Sequence, residues 1–237
     1  VRALVSNNLP PTIIVSIGAI NSSNNEKMQV LMVGAPTVLI NKYQKVLQMA
    51  DLTLNSIETE TLAIVRALAS NNLPPTIIVS IGAINTSLAI IKDGILVLTY
   101  SIPTGGNAIT RSIEADFGLT PTQSEEYKKT YGFSKEGVGK KVGKSTEPVL
   151  LSILLEIKKA LAFYSQKYKD EAIIQQILLS GGTARLPGID VFFAENLGIE
   201  TVVAAPWKIF TNQQIPQEIL NGGTDYTIAL GLAMRDL

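Results

Sequence analysis

The sequence lacks both cysteine and histidine, and these two absences remove whole classes of chemistry. Without cysteine the chain has no disulfide, no thiol nucleophile and no thiolate metal site, a composition that fits a reducing compartment. Without histidine it has no Ser-His-Asp triad, no HExxH zinc site and no imidazole acid-base catalyst. Any catalysis must therefore use carboxylates, lysine, arginine, hydroxyl groups or bound Mg²⁺, and phosphate chemistry is compatible with that set.

The sequence also lacks an excess of either charge. Twenty basic and twenty acidic residues give a formal net charge of zero, so no basic field attracts nucleic acid or an anionic membrane surface. The apolar stretches at 76–84 and 149–157 are far shorter than the ~20 residues that cross a bilayer. We predict a globular protein with a specific partner or small ligand, no nucleic-acid binding and no membrane span. Because the chain opens on Val1 rather than Met, we expect the natural N-terminus to lie upstream.

One segment occurs twice. Residues 1–21 and 65–85 are identical except for Val5 in place of Ala69, and the residues after each copy differ. The second copy continues into an apolar segment that predicts a hairpin, whereas the first runs into the polar sequence SSNNEKMQ. We therefore interpret residues 1–27 as a duplicated segment of uncertain status: a recent duplication, a sequence-assembly error or a cloning artefact. Its apolar stretch at 12–17 is expected to lie as a single strand along a sheet edge.

Alternating short apolar runs and helical periodicities predict an α/β protein. The first half predicts a strand at 28–34, a helix at 36–50 with one face packed inward, a helix at 57–68, and a three-strand meander at 76–81, 87–91 and 95–102. The second half predicts helices at 107–117, where Asn107 could cap the start, 121–132 and 147–169, strands at 173–179 and 201–204, and helices ending at Leu197 and Met234. The Gly/Lys-rich segment 134–144 is expected to be a mobile surface loop.

The sequence GKKVGKS at 139–145 resembles a phosphate-binding P-loop but fails on spacing. The pattern GxxxxGK[ST] requires glycine at the position of Val138, and no apolar strand leads directly into it. A solvated loop is favoured.

Three other features are compatible with nucleotide binding, although each alone could be an ordinary turn or ion pair. The turn Gly82–Ser87 joins two predicted strands and offers backbone amides and hydroxyls to an anion. Glu125 and Lys128 lie three residues apart on one helical face. Gly181 and Gly182 follow a buried strand directly, so backbone could approach a flat ligand closely there.

The order of these features resembles the second half of the actin, Hsp70 and sugar-kinase superfamily, and most closely the PilM family of type IV pilus assembly, with FtsA as the nearest competitor. The resemblance covers about residues 28–237. Its most specific parts are GGNAITRSIEADFGL, EEYKKTYGF, LLSGGTARLPGIDVFFAENLGIE and the C-terminal YTIALGLAMR.

The resemblance implies an actin-like ATPase fold with ribonuclease H-like domains, its second half essentially complete and its first domain truncated. Residues 28–75 would be a remnant of the first domain, and residues 76–237 the nucleotide-binding second half. It implies ATP or ADP with Mg²⁺ as cofactor. The implied binding residues are the hairpin Gly82, Asn85, Thr86 and Ser87, the following Gly105 and Gly106, Glu125 and Lys128 at the ribose and base, and Gly181, Gly182 and Thr183 behind the adenosine.

Ser80 departs from the superfamily pattern, because the second phosphate hairpin usually opens with an aspartate that holds Mg²⁺ through water. The loss of that anionic oxygen predicts at most a weak ATPase, with no catalytic residue assigned.

The resemblance implies a cytoplasmic, bacterial scaffold, peripheral at the inner membrane, that binds the tail of a PilN-type protein and other pilus assembly proteins. Self-association stays open. The alternatives are an FtsA-like cell-division protein and a sugar or acid kinase of the same superfamily.

Overall fold

The computed structural model describes residues 2–3, 14–20, 29–69, 73–134, 136–168, 173–210 and 215–235. They belong to two compact units, residues 1–59 and residues 60–237. The helix at 57–68, which we assigned with the first domain, falls almost entirely in the second unit. Within the described ranges, no helix is both long and apolar enough to cross a membrane.

The first unit contains a small antiparallel sheet in the order β1-β2-β3, formed by Arg2–Ala3, Ile14–Ile20 and Gln29–Ala35. The expectation that the first copy of the repeat forms a single edge strand is wrong, because β2 pairs with a strand on each side. Gly18 lies inside β2, opposite Leu31. The polar stretch Ser22–Glu26 lies outside the described residues.

The helix predicted at 36–50 is present as α1, Thr37–Met49, but its apolar face does not pack inward. Only Ile40 is buried, while Val38, Tyr43, Val46 and Met49 are exposed. Periodicity therefore identified the helix correctly, but it could not show whether the described chain supplies a surface to cover it.

The second unit is built on a five-stranded sheet in the order β6-β5-β4-β7-β8. Its strands are β4 Thr76–Ile81, β5 Thr86–Lys92, β6 Ile95–Ile102, β7 Gln176–Ser180 and β8 Glu200–Val203. The predicted meander β4-β5-β6 is antiparallel, and β7 and β8 add in parallel to β4. Every residue of β4 is buried, which explains its run of apolar residues.

Helices cover both faces of this sheet. Ile77, Val79 and Ile81 of β4 join one core with α5, Gly137–Tyr168, and α6, Ile189–Leu197. Ile78 lies in a second core with Ile64 of α2, Glu60–Leu68. The remaining helices are α3 Gly106–Phe117, α4 Pro121–Tyr131, α7 Gln217–Asn221 and α8 Thr227–Ala233, with 3-10 turns at Gly182–Arg185, Pro206–Ile209 and Gly223–Tyr226.

Local sequence fixes the ends of several helices. Gly118 adopts the left-handed conformation after α3, with φ of 64°, as expected for a helix-terminating glycine. Thr120 caps α4 in a capping box with Gln123, and Pro121 occupies the first turn. The hypothesis that Asn107 caps α3 is wrong, because the cap position is Gly105 and no side chain caps it.

The mobile loop expected at 134–144 is also wrong, because α5 begins at Gly137 and runs through this segment. Gly139, Val142 and Gly143 are buried, so tertiary contacts offset the low helix propensity of the glycines. The helix continues past Pro148, and the Thr146 hydroxyl donates to the carbonyls of Val142 and Gly143, each at 3.1 Å.

Gly143→Ala should stabilise the protein by up to about 1 kcal/mol, because alanine is the better helix former. A Cβ at Gly143 would meet Phe133 Cδ1 at an ordinary 3.6 Å. Gly139→Ala is the matched control, since its Cβ would lie 2.5 Å from the Ser134 Cβ, and overpacking costs about 1–3 kcal/mol. Urea unfolding should move the two midpoints in opposite directions. Shifts of the same sign would contradict this account of α5.

Candidate functional site

The hairpin turn between β4 and β5 is fixed by backbone contacts. The Gly82 amide donates to the Asn85 carbonyl at 2.9 Å, which closes the turn. The carbonyls of Gly82 and Ala83 then accept the amides of Gly106 and Asn107, each at 2.8 Å. The first two amides of α3 are thus used within the fold, and the helix start is anchored on the hairpin.

Two predicted site residues, Gly105 and Thr86, stabilise the contact between the hairpin turn and the start of α3 instead of lining an open space. A Cβ at Gly105 would lie 2.5 Å from the Gly82 carbonyl oxygen, so only glycine permits the contact. Thr86 is fully buried, and its hydroxyl donates to the Thr104 carbonyl at 2.8 Å.

The turn after β7 packs on the same junction. Gly181 has φ of 80°, and a Cβ there would lie 2.5 Å from the Ile81 carbonyl oxygen. A Cβ at Gly182, in contrast, would meet no backbone atom of a neighbouring segment within 4 Å, but it would lie a tight 3.1 Å from Asp225 Oδ1. Gly181 therefore fixes the turn against β4, and Gly182 presents bare backbone to the adjoining cavity.

These elements surround a cavity of about 310 Å³, here called the main cleft. Its walls include six predicted site residues, Gly82, Gly106, Glu125, Lys128, Gly182 and Thr183. They also include Asn107 and Arg185, from the segments 105–110 and 181–185 that the resemblance places at the site, and Lys129 and Asp225, which we did not predict. The turns that the sequence separates by up to a hundred residues thus meet at one place.

A smaller cavity of about 190 Å³, the inner cleft, adjoins the main cleft and shares Gly82, Gly182 and Asp225 with it. It is lined by the predicted Asn85, Ser87 and Gly181, and by Ser80, Glu60 and Thr224. Glu60 begins α2; a carboxylate at a helix start was visible in the sequence, but its position beside Ser80 depends on the packing of α2.

Lys128 is held by three acceptors although it lies against the main cleft. Its ammonium group donates to Glu125 Oε2 at 2.5 Å, to the Thr110 hydroxyl at 2.9 Å and to the Gly106 carbonyl at 3.3 Å. Only 7% of its side chain is exposed. An ammonium group has three donors, so this arrangement uses all of them and makes Lys128 a positioning residue.

Glu125 is more accessible, with 36% of its side chain exposed. Partial burial acts to raise its pKa, but hydrogen bonds from Lys128 and Thr110, with the charges of Lys128 and Lys129, outweigh burial and hold the pKa of Glu125 below its ordinary value of 4.5. Glu125 Oε2 receives both hydrogen bonds, whereas Oε1 is 3.4 Å from the exposed Lys129. Oε1 is thus the oxygen best able to accept from a ligand hydroxyl.

Arg185 and Asp225 form an ion pair at the rim, with Nη1 and Oδ2 separated by 2.5 Å. Both side chains are nearly half exposed, so the pair contributes little to stability. It closes one side of the main cleft. The sequence contained no signal for this pair, because forty residues separate its members.

A model of the family described as type IV pilus assembly protein PilM matches residues 15–237. The chain belongs to this family. The PilM-family chain is also similar to a chain of a PilM-PilN type IV pilus biogenesis complex, with 21% identity and a TM-score of 0.81. That alignment covers 96% of this chain and 68% of the other.

Other solved structures show the same actin-like fold. The ethanolamine utilization protein EutJ from Carboxydothermus hydrogenoformans matches with 25% identity and a TM-score of 0.59, over 79% of this chain and 59% of that one. MreB 5 of Spiroplasma citri, bound to AMPPNP, matches with 18% identity and a TM-score of 0.60, over 83% and 63%. The PilM-family chain thus spans roughly two thirds of the length of these structures.

The clefts fit a nucleotide better than they fit a metal. A bare glycine surface, the carboxylate oxygen Glu125 Oε1 and small polar groups suit a nucleoside and its phosphates. Among the described residues, however, no group of three or more Asp, Glu, His or Cys side chains could hold a metal ion. Ser80, 7% exposed, contributes a neutral hydroxyl where an anionic ligand would serve Mg²⁺.

Lys128→Met should lower the free energy of unfolding by about 2 kcal/mol at pH 7, because hydrogen bonds to a charged group are lost. Lys129→Met is the matched control, since Lys129 is 65% exposed and should change stability little. A lowered pKa means that Glu125 stabilises the native state above pH 4.5, and that this contribution falls as the pH drops further. The wild-type advantage over Lys128→Met should therefore shrink below pH 4.5 in urea titrations. Equal urea midpoints for Lys128→Met and Lys129→Met at pH 7 would contradict the stabilising role of the Lys128 hydrogen bonds.

Proposed function

We propose that this PilM-family chain is a nucleotide-binding scaffold of the type IV pilus inner-membrane assembly platform. It holds the cytoplasmic tail of a PilN-type protein and so stays peripheral at the cytoplasmic face of the membrane. The family match and the fold shared with the PilM-PilN complex support this role. The partner assignment can be tested by adding the whole chain to a fluorescently labelled PilN-type tail peptide. We expect the fluorescence anisotropy of the peptide to rise on binding, and no rise would overturn the assignment.

The nucleotide part of the proposal rests on one observation. Four elements converge around the two clefts: the hairpin, the start of α3, α4 and the Gly181–Gly182 turn. Glu125 Oε1 accepts from the ribose hydroxyls, and the base lies over the bare backbone of Gly182. The phosphates extend into the inner cleft toward Asn85 and Ser87, where an amide and a hydroxyl can donate to them.

The same geometry favours nucleotide binding with slow hydrolysis. Hydrolysis of a phosphoanhydride depends on charge stabilisation by a metal and on a positioned water. Ser80 adds no charge to the inner cleft, and Asp225 is already paired with Arg185. Glu60 is the remaining carboxylate among the described residues of this cleft, and one carboxylate binds Mg²⁺ mainly together with the phosphates.

Calorimetric titration with ADP, with and without Mg²⁺, tests the nucleotide assignment. We expect ADP to bind with little help from Mg²⁺, and Ser80→Asp to make binding strongly Mg²⁺-dependent. Gly182→Val should weaken ADP binding about tenfold or more by filling the base position, a loss of about 1.4 kcal/mol, while its unfolding midpoint stays near that of Gly182→Ala.

Unaltered ADP affinity in a folded Gly182→Val protein would show that the base lies elsewhere. Brisk ATP turnover by the unmodified chain would contradict the role assigned to Ser80.

A further inference from the structure

A further cavity of the second unit borders the clefts described above. It measures about 460 Å³ and is here called the Trp207 pocket, with walls that include Val203, Trp207, Phe210, Ile215 and Leu220. Its volume falls in the range of small-molecule sites, roughly 300–1,000 Å³. The rings of Trp207 and Phe210 have centroids 6.2 Å apart, and Tyr226 packs on Trp207 at 6.0 Å. The pocket is therefore lined by both aromatic and aliphatic side chains.

Two buried polar atoms at this pocket have no hydrogen-bond partner, Trp207 Nε1 and Thr224 Oγ1. Thr224 is only 4% exposed, and the pocket is lined by both residues. An unmet buried donor costs about 1–3 kcal/mol. An acceptor group bound deep in the pocket would give either donor the partner that it lacks.

The charge of the lining indicates the sign of the ligand. Of the described residues that line the pocket, none is Asp or Glu, whereas Arg185 and Lys208 are both cationic. Lys208 is exposed at the rim, so its charge remains available to an approaching anion.

We propose that the Trp207 pocket is a second ligand site that binds a small aromatic anion, such as an aromatic carboxylate or sulfonate. The ring system packs against Trp207 and Phe210, the acid group accepts from Trp207 Nε1 and Thr224 Oγ1, and Lys208 attracts the anion from the rim. This site does not depend on the nucleotide assignment.

The Trp207 pocket is distinct from the main cleft although the two share Arg185. Arg185 borders both cavities, and its ion pair with Asp225 stands at the boundary, because Asp225 lines the main cleft but not the pocket. A ligand that draws Arg185 toward the pocket would loosen this pair. The Trp207 pocket is thus adjacent to the main cleft, and it shares Thr224 with the inner cleft.

The anionic aromatic dye 8-anilinonaphthalene-1-sulfonate is a suitable probe, because Trp207 is the one tryptophan of the sequence. Excitation of Trp207 in the whole protein should produce energy transfer to the bound dye with one-to-one saturation. Lys208→Glu should weaken dye binding about fivefold at low salt. Lys158→Glu, an exposed charge reversal on α5, is the matched control and should leave the affinity unchanged.

Thr224→Val provides an independent readout. It keeps the shape of the side chain but removes the unpartnered hydroxyl, so the thermal midpoint of the ligand-free protein should stay constant or rise. Dye affinity should nevertheless fall about tenfold, because a hydrogen bond to a charged acceptor is lost.

Two outcomes would overturn the proposal. Equal dye affinity in Lys208→Glu, Thr224→Val and the control would mean that the dye adheres to an exposed apolar surface instead. Competitive displacement of the dye by ADP would mean that the Trp207 pocket is part of the nucleotide cleft.

Discussion

Backbone contact between the hairpin turn and its two neighbouring glycine turns is the constraint on which the second unit depends. The Gly82 and Ala83 carbonyls accept the first amides of α3, and Gly105 and Gly181 approach the backbone so closely that neither can carry a Cβ. These contacts bring the start of α3 and the end of β7 to the same corner of the sheet. The clefts exist because three chain segments meet there without side chains between them.

The hydrogen bonds of Lys128 connect α4 to the same corner of the sheet. Lys128 reaches back to the Gly106 carbonyl and to Thr110 on α3, so α4 is tied to the same helix start that the hairpin holds. Gly132, at the end of α4, is pressed against Pro187, and the Phe133 amide donates to the Pro187 carbonyl at 2.7 Å. Both walls of the main cleft are therefore tied together behind the site. Glu125 thus lines the main cleft on a helix that is held by these contacts.

Much of this fold follows from local sequence, and the exceptions have a common cause. The meander β4-β5-β6, the cap at Thr120 and the stop at Gly118 were predictable because neighbouring residues determine them. The start of α5 was not, because Gly139 and Gly143 pack against Ser134 and Phe133, which are not part of that helix. Site prediction failed similarly for Asp225 and Glu60, whose proximity to the clefts arises from tertiary packing.

Hydrogen exchange of the whole chain with and without ADP tests the central claim most directly, namely that the converging glycine turns form the nucleotide site. We expect slower exchange with ADP in the hairpin turn 82–85, in the turn Gly181–Arg185 and around Glu125 on α4, with little change in α1. Protection confined to other segments, or no change at these three under saturating ADP, would contradict that claim.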